Sequence, residues 1–574
     1  MPGAKLMMAG KSSRDWICIS CQRIHVRRRV GIGQERAFSQ HALRSQAIRP
    51  PNAPQQTPPI SHIRRNWRAY EENCLRRRYL DRAEEARTFD KEYDHVQELR
   101  RQIQEPRRQL KAVEKKIGAL QARRNEDTDT VAEIDSLKKE AQSLKEGADI
   151  SAKEQILAKA EQRLHDIALG QPSLTSPQTP FNNSEVGGKI TSEPVLIEYL
   201  NYDPTSPAAK ALKSQHRPAH TDIGSSLSLL DFASASTTTG WGWYYLCSQA
   251  ALLEQALIQY ALSVLVKRGW TIVSPPSLVY SYIAEACGFQ PRDQNDEQQI
   301  YELAQSARDV ESGKPPRSLA GTAEIPLAAM LANQTISASN LPVKVAGVSR
   351  CYRAEAGARG VESKGLYRVH EFNKVEMFAW TDSPQLTTKD SKKKTSPDSS
   401  TSPPDPLTNP SEWTKHSTPI FDEMLNIQKE ILASLDFPCR VLEMPITDLG
   451  ASAWRKIDIE AFFPSRYRRG KEDESDPDNG WGELTSTSIC TDYQSRRLGT
   501  RVKDDSGSTA AATTTAAAAG GGSTRFAHTV NGTAMAVPRV LAALMEYGYR
   551  ADEKGDGRIE VPEVLRKWMP GGSS

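Results

Sequence analysis

Residues Val348–Trp380 read VSRCYRAEAGARGVESKGLYRVHEFNKVEMFAW. An Arg-x-Glu pair, Arg353 and Glu355, precedes a turn punctuated by Gly357, Gly360 and Gly365. An alternating run follows, with Tyr367, Val369, Glu371, Asn373 and Val375 on one parity and Arg368, His370, Phe372, Lys374 and Glu376 on the other. Side chains alternate across a strand, so the pattern predicts strand, loop, strand, with charges gathered on one side. A surface combining arginines, a lysine, an aromatic and carboxylates suits a polyanion held beside a zwitterion.

The chain around this stretch has 574 residues, too long for one ordinary domain. Its apolar share of 38% is low, but the deficit is local. Residues 1–50 carry eight arginines against Asp15 and Glu35, the composition of a mitochondrial presequence. With the Pro/Gln-rich linker after it, this gives a first division of 1–64 and an expected location in the mitochondrial matrix. Eight scattered cysteines argue for reduced thiols. Cys18-x-x-Cys21 has no second ligand pair nearby, so a zinc site is not expected. No apolar run approaches the ~20 residues that would span a bilayer, and no membrane partner is expected.

From 65 to 170 the chain is charged and nearly free of glycine. Val96, Leu99, Ile103, Leu110, Val113, Ile117 and Leu120 follow a 3-4 spacing, with Pro106 at the vacant position. A second stripe runs through Leu137, Ala141, Leu144, Leu157, Ala160, Leu164 and Ile167. The two predict an antiparallel coiled-coil hairpin kinked at Pro106. Its many Arg and Lys residues, balanced by Glu, are compatible with a merely solvated face. Residues 171–190 read as a linker. The remainder, 191–574, reads as a compact domain with low-complexity insertions at 387–410 and 503–524. No glycine-rich phosphate loop of either common type is present, so any nucleotide is held another way.

Three separated segments resemble the three sequence motifs of class II aminoacyl-tRNA synthetases. They are the helix Tyr245–Lys267 running into Arg268-Gly269-Trp270 and Pro276; Tyr352-Arg353-Ala354-Glu355 through Arg368-x-x-x-Phe372; and Asn531-Gly532-Thr533 running to Arg539. Within the class the chain is similar to the seryl enzymes, on Gly321-Thr322-Ala323-Glu324-Ile325-Pro326, on Gly365 to Phe372, on Lys374-Val375-Glu376, on Asp458-Ile459-Glu460 and on Glu483-Leu484-Thr485-Ser486. The resemblance covers about 200–570 plus the hairpin before it, which would be the tRNA-binding arm.

That resemblance implies an α+β fold: an antiparallel sheet of six or seven strands with flanking helices, preceded by the coiled-coil arm. It implies ATP-dependent attachment of L-serine to serine tRNA through a seryl-adenylate, in a homodimer, with Mg²⁺. Arg353 would stabilise the α-phosphate and Arg539 the γ-phosphate, forming the catalytic set with Glu355, which would accept from the adenine amino group. Phe372 would stack on adenine, and Ala354, Glu483, Leu484, Thr485 and Ser486 would complete the ATP site, with Glu483 holding the metal. Thr322, Ala323, Glu324, Arg353, Glu376 and Thr533 would bind serine. His370 and Lys374 are compatible with plain surface positions and are left out of the catalytic set. Thr533 and Pro538 depart from the family's usual Ser and Gly. A silent paralogue that only binds RNA is the alternative; the presence of Arg353, Glu355, Glu483 and Arg539 together speaks against it.

Overall fold

The computed structural model describes residues 50–570, apart from 123–127, 148–149, 182–183, 187–188, 215–216, 290–298, 356–364, 385–404, 469–478, 506–523 and 552–556. The presequence region, Cys18-x-x-Cys21 and most of both insertions lie outside the described residues. The stretch expected as a free linker before residue 65 is packed onto the body. Asn333 donates from Nδ2 to the carbonyls of Asn52 and Ala53, at 3.1 Å each, and accepts from Gln55 N at 2.9 Å. Helix α1 (Ile60–Arg65) then buries Ile63, and α2 (Trp67–Arg76) buries Tyr70 and Cys74.

The arm has three helices rather than two: α3 (Leu80–Ala122), α4 (Thr128–Gly147) and α5 (Ile150–Gly170). The expected kink at Pro106 does not end the helix, since α3 runs through it for 43 residues. The apolar stripe explains the pairing. Val96, Leu99 and Ile103 are buried on α3, and Ile150, Leu157, Leu164 and Ile167 on α5, all in one cluster. Arg100–Glu161 (2.7 Å) and Arg107–Glu154 (2.8 Å) cross between the helices, but both pairs are exposed and add little to stability.

The second expected linker is also seated. Ser173 N donates to Ala451 O and Ser176 N to Trp454 O, each at 2.8 Å, and Leu174 is buried. Two buried guanidiniums grip this root. Arg77 donates to the carbonyls of Ser173, Leu449, Gly450 and Ala453. Arg497 donates to Leu169 O at 2.6 Å, Gln171 O at 3.2 Å and Tyr493 O at 2.8 Å. The Leu169 carbonyl belongs to the last turn of α5, where intrahelical partners run out.

The body is built on β1 (Val195–Leu200), β2 (Thr271–Val273), β3 (Val343–Tyr352), β4 (Glu371–Thr381), β5 (Cys439–Glu443), β6 (Arg455–Phe462), β7 (Trp481–Thr491) and β8 (His528–Ala536). They form one sheet of eight strands, one or two more than expected, in the order β1-β5-β6-β7-β8-β4-β3-β2. Every neighbouring pair is antiparallel except β2 with β3. The quoted stretch supplies the end of β3 and nearly all of β4, which pair from Val343↔Trp380 to Tyr352↔Glu371. Asn531-Gly532-Thr533 lies within β8, which is buried along its whole length.

Helices α6 (Ser248–Lys267), α7 (Glu324–Ala329), α8 (Thr418–Ala433), α9 (Tyr493–Leu498) and α10 (Val537–Gly548) flank the sheet. By length and composition alone α6 is apolar enough to cross a membrane, with a mean hydropathy of 1.3. This corrects the expectation that no such run exists. Here α6 is a core helix, burying Leu253, Leu257, Ala261, Val264 and Leu265.

Candidate active site

A cleft lies over β4, β7 and β8 and is bounded by the start of α10. It is lined by Arg353, Glu355, Tyr367, Arg368, Val369, Phe372, Lys374, Glu483, Leu484, Ser486, Thr533, Ala536, Pro538 and Arg539. Strand parity alone does not produce this set. The register between β6 and β7 skips Leu484, and that between β4 and β8 skips Ala534. Each skip is a β-bulge, which reverses the facing of the residues beyond it. Glu483 and Ser486, three apart, therefore share the cleft wall, as do Thr533 and Ala536. Thr485 turns to the opposite face, where Gln428 of α8 donates to its hydroxyl at 2.9 Å and to Thr533 O at 2.8 Å.

Arg353 emerges at the end of β3, with Arg353 N bonded to His370 O at 2.9 Å and Ala354 N to Gln299 O at 3.2 Å. Glu355 follows with a φ of 47°, in the left-handed region that a non-glycine residue rarely occupies. Its carboxylate pairs with Arg368 at 3.3 Å. The Arg353 guanidinium lies 5.4 Å from the Phe372 ring centroid and donates to Gly321 O at 3.4 Å. Among the described residues no carboxylate lies within ion-pair distance of it.

Arg539 is the third residue of α10, after Pro538, whose missing N–H is no loss in the first helical turn. Its Nη1 lies 3.0 Å from Glu483 Oε2, and its Nε donates to Tyr367 O at 3.3 Å. Burial works to raise the Glu483 carboxyl, but Arg539 and Lys456 prevail and hold it down at about 2. Tyr367 braces the pair, donating from its hydroxyl to Glu483 O at 3.0 Å. Arg466, whose guanidinium is held below its ordinary value by burial, lies 3.7 Å from the Tyr367 ring centroid.

A second, buried cluster adjoins the first. Glu376 Oε2 accepts from Thr322 Oγ1 at 3.2 Å and Thr533 Oγ1 at 3.3 Å, and Lys374 Nζ lies 2.5 Å away. Glu324 begins α7, and Gln494 donates to its Oε1 at 2.7 Å. Burial, reinforced by the nearby Glu376 charge, raises the Glu324 carboxyl to about 7. The fold therefore binds that proton more tightly than the unfolded chain. This stabilisation is complete below the ordinary carboxylate value near 4.5 and is lost as the pH rises towards 7.

The structure brings together the residues read from sequence: Arg353, Glu355, Phe372, Glu483, Ser486, Thr533 and Arg539 on the cleft, and Thr322, Glu324 and Glu376 in the adjoining cluster. Ala323 and Leu484 have core side chains, at 0% and 1% exposure, so only their backbones can serve a ligand. Ala354 contributes its backbone to the turn. Asp458 pairs with Lys456 at 2.6 Å, and Glu460 pairs with Arg440; neither lines the cleft. Lys374, left out of the catalytic set, is 6% exposed and lines the cleft. Its parity with Phe372 and Glu376 was the available signal. Tyr367, Gln428 and Gln494 were missed, and their spacing offers no signal, because each acts from a different element.

A family model for the class II core domain of tRNA synthetases (G, H, P, S and T) matches residues 314–395. The mitochondrial serine–tRNA ligase of Saccharomyces cerevisiae is 40% identical over 63% of this chain and 66% of its own length. That of Schizosaccharomyces pombe is 35% identical over 88% of this chain and 86% of its own. In fold, the seryl-tRNA synthetase from Pyrococcus horikoshii, solved in complex with ATP, matches with a TM-score of 0.63 at 24% identity, over 89% of this chain and 97% of that one. With the Schizosaccharomyces pombe relative aligned over most of both chains, this chain belongs to the serine–tRNA ligase family.

Proposed function

We infer that the protein attaches L-serine to serine tRNA at the expense of ATP, through a seryl-adenylate, and serves translation in the mitochondrial matrix. The observation that carries this reading is the pairing of two unlike sites. Arg353 and Arg539 line one cleft with Phe372, and beside it the buried Glu376 carboxylate accepts from the hydroxyls of Thr322 and Thr533. The serine carboxylate attacks the α-phosphate, and the fixed Arg353 guanidinium meets the charge that develops there. Phe372 offers an adenine a flat face, Glu355 an acceptor for its amino group, and Arg539 a fork for the terminal phosphate. Glu376, with Thr322 and Thr533, takes the ammonium and hydroxyl. A site built on such hydrogen bonds rejects alanine strongly, because alanine leaves buried polar atoms unpaired. The extra methyl of Thr533 narrows the space against threonine.

Glu483 is the residue fitted to Mg²⁺. Its carboxylate is held ionised on the cleft wall, with a side chain 38% exposed. Mg²⁺ takes one or two carboxylates, with phosphates and water completing its shell, and supplies charge neutralisation when bound. The homodimer reading rests on α6 and β2. Leu252, Val266 and Ile272 are exposed there, at 41%, 58% and 39%, on the motif that forms the subunit contact in this class.

Serine-dependent ATP–pyrophosphate exchange by the purified protein tests the activity; an absence of exchange with serine would sink it. The same assay has an expected pH dependence. An ionised Glu324 attracts the substrate ammonium and a protonated one does not, so the KM for serine falls several-fold from pH 6 to pH 8 as the group titrates near 7. Glu324→Gln removes that slope. Location is tested by fusing residues 1–64 to a fluorescent reporter. Accumulation in mitochondria, protected from protease added to mitoplasts, is the expected outcome, and a purely cytosolic signal contradicts it.

A further inference from the structure

The segment Thr239-Gly-Trp-Gly-Trp-Tyr-Tyr-Leu246 plays no part in the site as described, although it lies against it. Trp241 is 60% exposed, the most open of the large apolar side chains among the described residues. Its ring lies 6.3 Å from that of His370, edge to face. Trp243 stacks on the same imidazole at 5.9 Å and 26°, and Tyr301 meets it edge-on at 6.1 Å.

This cluster is tied to the backbone of Arg353. His370 N donates to Gly242 O at 3.0 Å, and His370 O accepts from Arg353 N at 2.9 Å. His370 Nδ1 lies 2.9 Å from Tyr301 Oη and 3.0 Å from Arg353 O. A Cβ at residue 242 would sit 2.4 Å from the His370 ring, and Gly242 has a φ of 85°. Glycine there lets the two tryptophans flank the imidazole. A rigid backbone thus presents an open indole within one hydrogen-bonded residue of Arg353.

We propose that Trp241, backed by Trp243 and His370, is a stacking platform for an unpaired base at the 3′ end of the tRNA. It would act as a positioning residue that brings the terminal ribose to the adenylate. The inference rests on the aminoacylation reading above. That reading requires an unpaired nucleic-acid end to reach the α-phosphate beside Arg353, and a base reaching it passes the neighbouring surface. Exposed aromatic rings bind unpaired bases by their faces, whatever the sequence. Its residues lie beside the cleft and do not line it, and the exchange assay separates a contact to the nucleic acid from one to ATP or serine.

The test compares wild type, Trp241→Ala and Trp241→Phe in three measurements. These are serine-dependent pyrophosphate exchange, steady-state charging of a serine tRNA transcript, and binding of that transcript with and without its unpaired 3′ nucleotides. Loss of one stacked base corresponds to roughly a ten- to hundredfold fall in affinity. Trp241→Ala is expected to leave exchange unchanged and to lower kcat/KM for tRNA by about that factor. It also abolishes the affinity difference between full and truncated tRNA. Trp241→Phe restores most of both. The proposal is overturned if truncation weakens binding equally in wild type and Trp241→Ala. It is also overturned if Trp241→Ala converts a dimer to monomers, which would make Trp241 a subunit contact. Exchange in the wild type answers for the aminoacylation reading separately, so failure of the platform leaves that reading intact.

Discussion

Replacing Arg353 with alanine lowers serine-dependent pyrophosphate exchange by roughly a hundred- to a thousandfold, the usual effect of removing one preorganised group that meets transition-state charge. The structure explains why this arginine, among the several lining the cleft, has the largest effect. Arg368 is engaged with Glu355, and Arg539 with Glu483. Arg353 is held by a carbonyl and an aromatic face, and among the described residues it forms no ion pair. Among the described residues, therefore, no ion-pair partner has to leave before Arg353 meets the substrate. Arg353→Lys keeps the charge but loses the planar fork, so it recovers only part of the rate. Stopped-time exchange assays at saturating serine and ATP measure the effect. A rate within tenfold of wild type in Arg353→Ala would remove Arg353 from the catalytic set.

Truncating the arm separates the two half-reactions. A variant in which a short Gly/Ser turn replaces residues 108–153 ends just beyond the Arg107–Glu154 pair and keeps Ile103, Leu157 and Leu164 buried. Helix α4 packs against its neighbours in the arm, so its removal leaves the body's core intact. Exchange is expected to stay within about twofold of wild type, while tRNA charging falls by a hundredfold or more as several phosphate contacts are lost. Measuring both activities on one preparation, with the thermal midpoint as a check on folding, decides the matter. Undiminished charging would mean the arm is not the tRNA-binding element. The sequence alone allowed its basic face to be mere solvation, and only the neighbouring catalytic motifs argued otherwise.

Much of the site was legible because the chemistry sits on one hairpin. The parity of Phe372, Lys374 and Glu376 is local and survives into β4, so a period-two reading found the strand that lines the cleft. What failed was whatever depends on two distant segments meeting. The skips at Leu484 and Ala534 arise from the register between strands, which no single segment carries. Lys374 was compatible with a surface position because its acceptor, Glu376, is shared with hydroxyls from Thr322 and Thr533. The stretches before residue 65 and after 170 have the composition of linkers. They are fixed by Asn333, Arg77 and Arg497, residues that no local pattern connects to them.

The way Arg77 and Arg497 grip the arm root has a consequence for how the enzyme tolerates its surroundings. A guanidinium bound to a carboxylate loosens once the acid takes a proton. These two arginines are bound to main-chain carbonyls, which have no proton to gain or lose across the physiological range. The direction in which the arm points is thus set by contacts that acidity does not reach and from which dissolved ions are shut out. If the arm is the tRNA-binding element, salt would weaken binding along its charged surface and leave these root contacts in place.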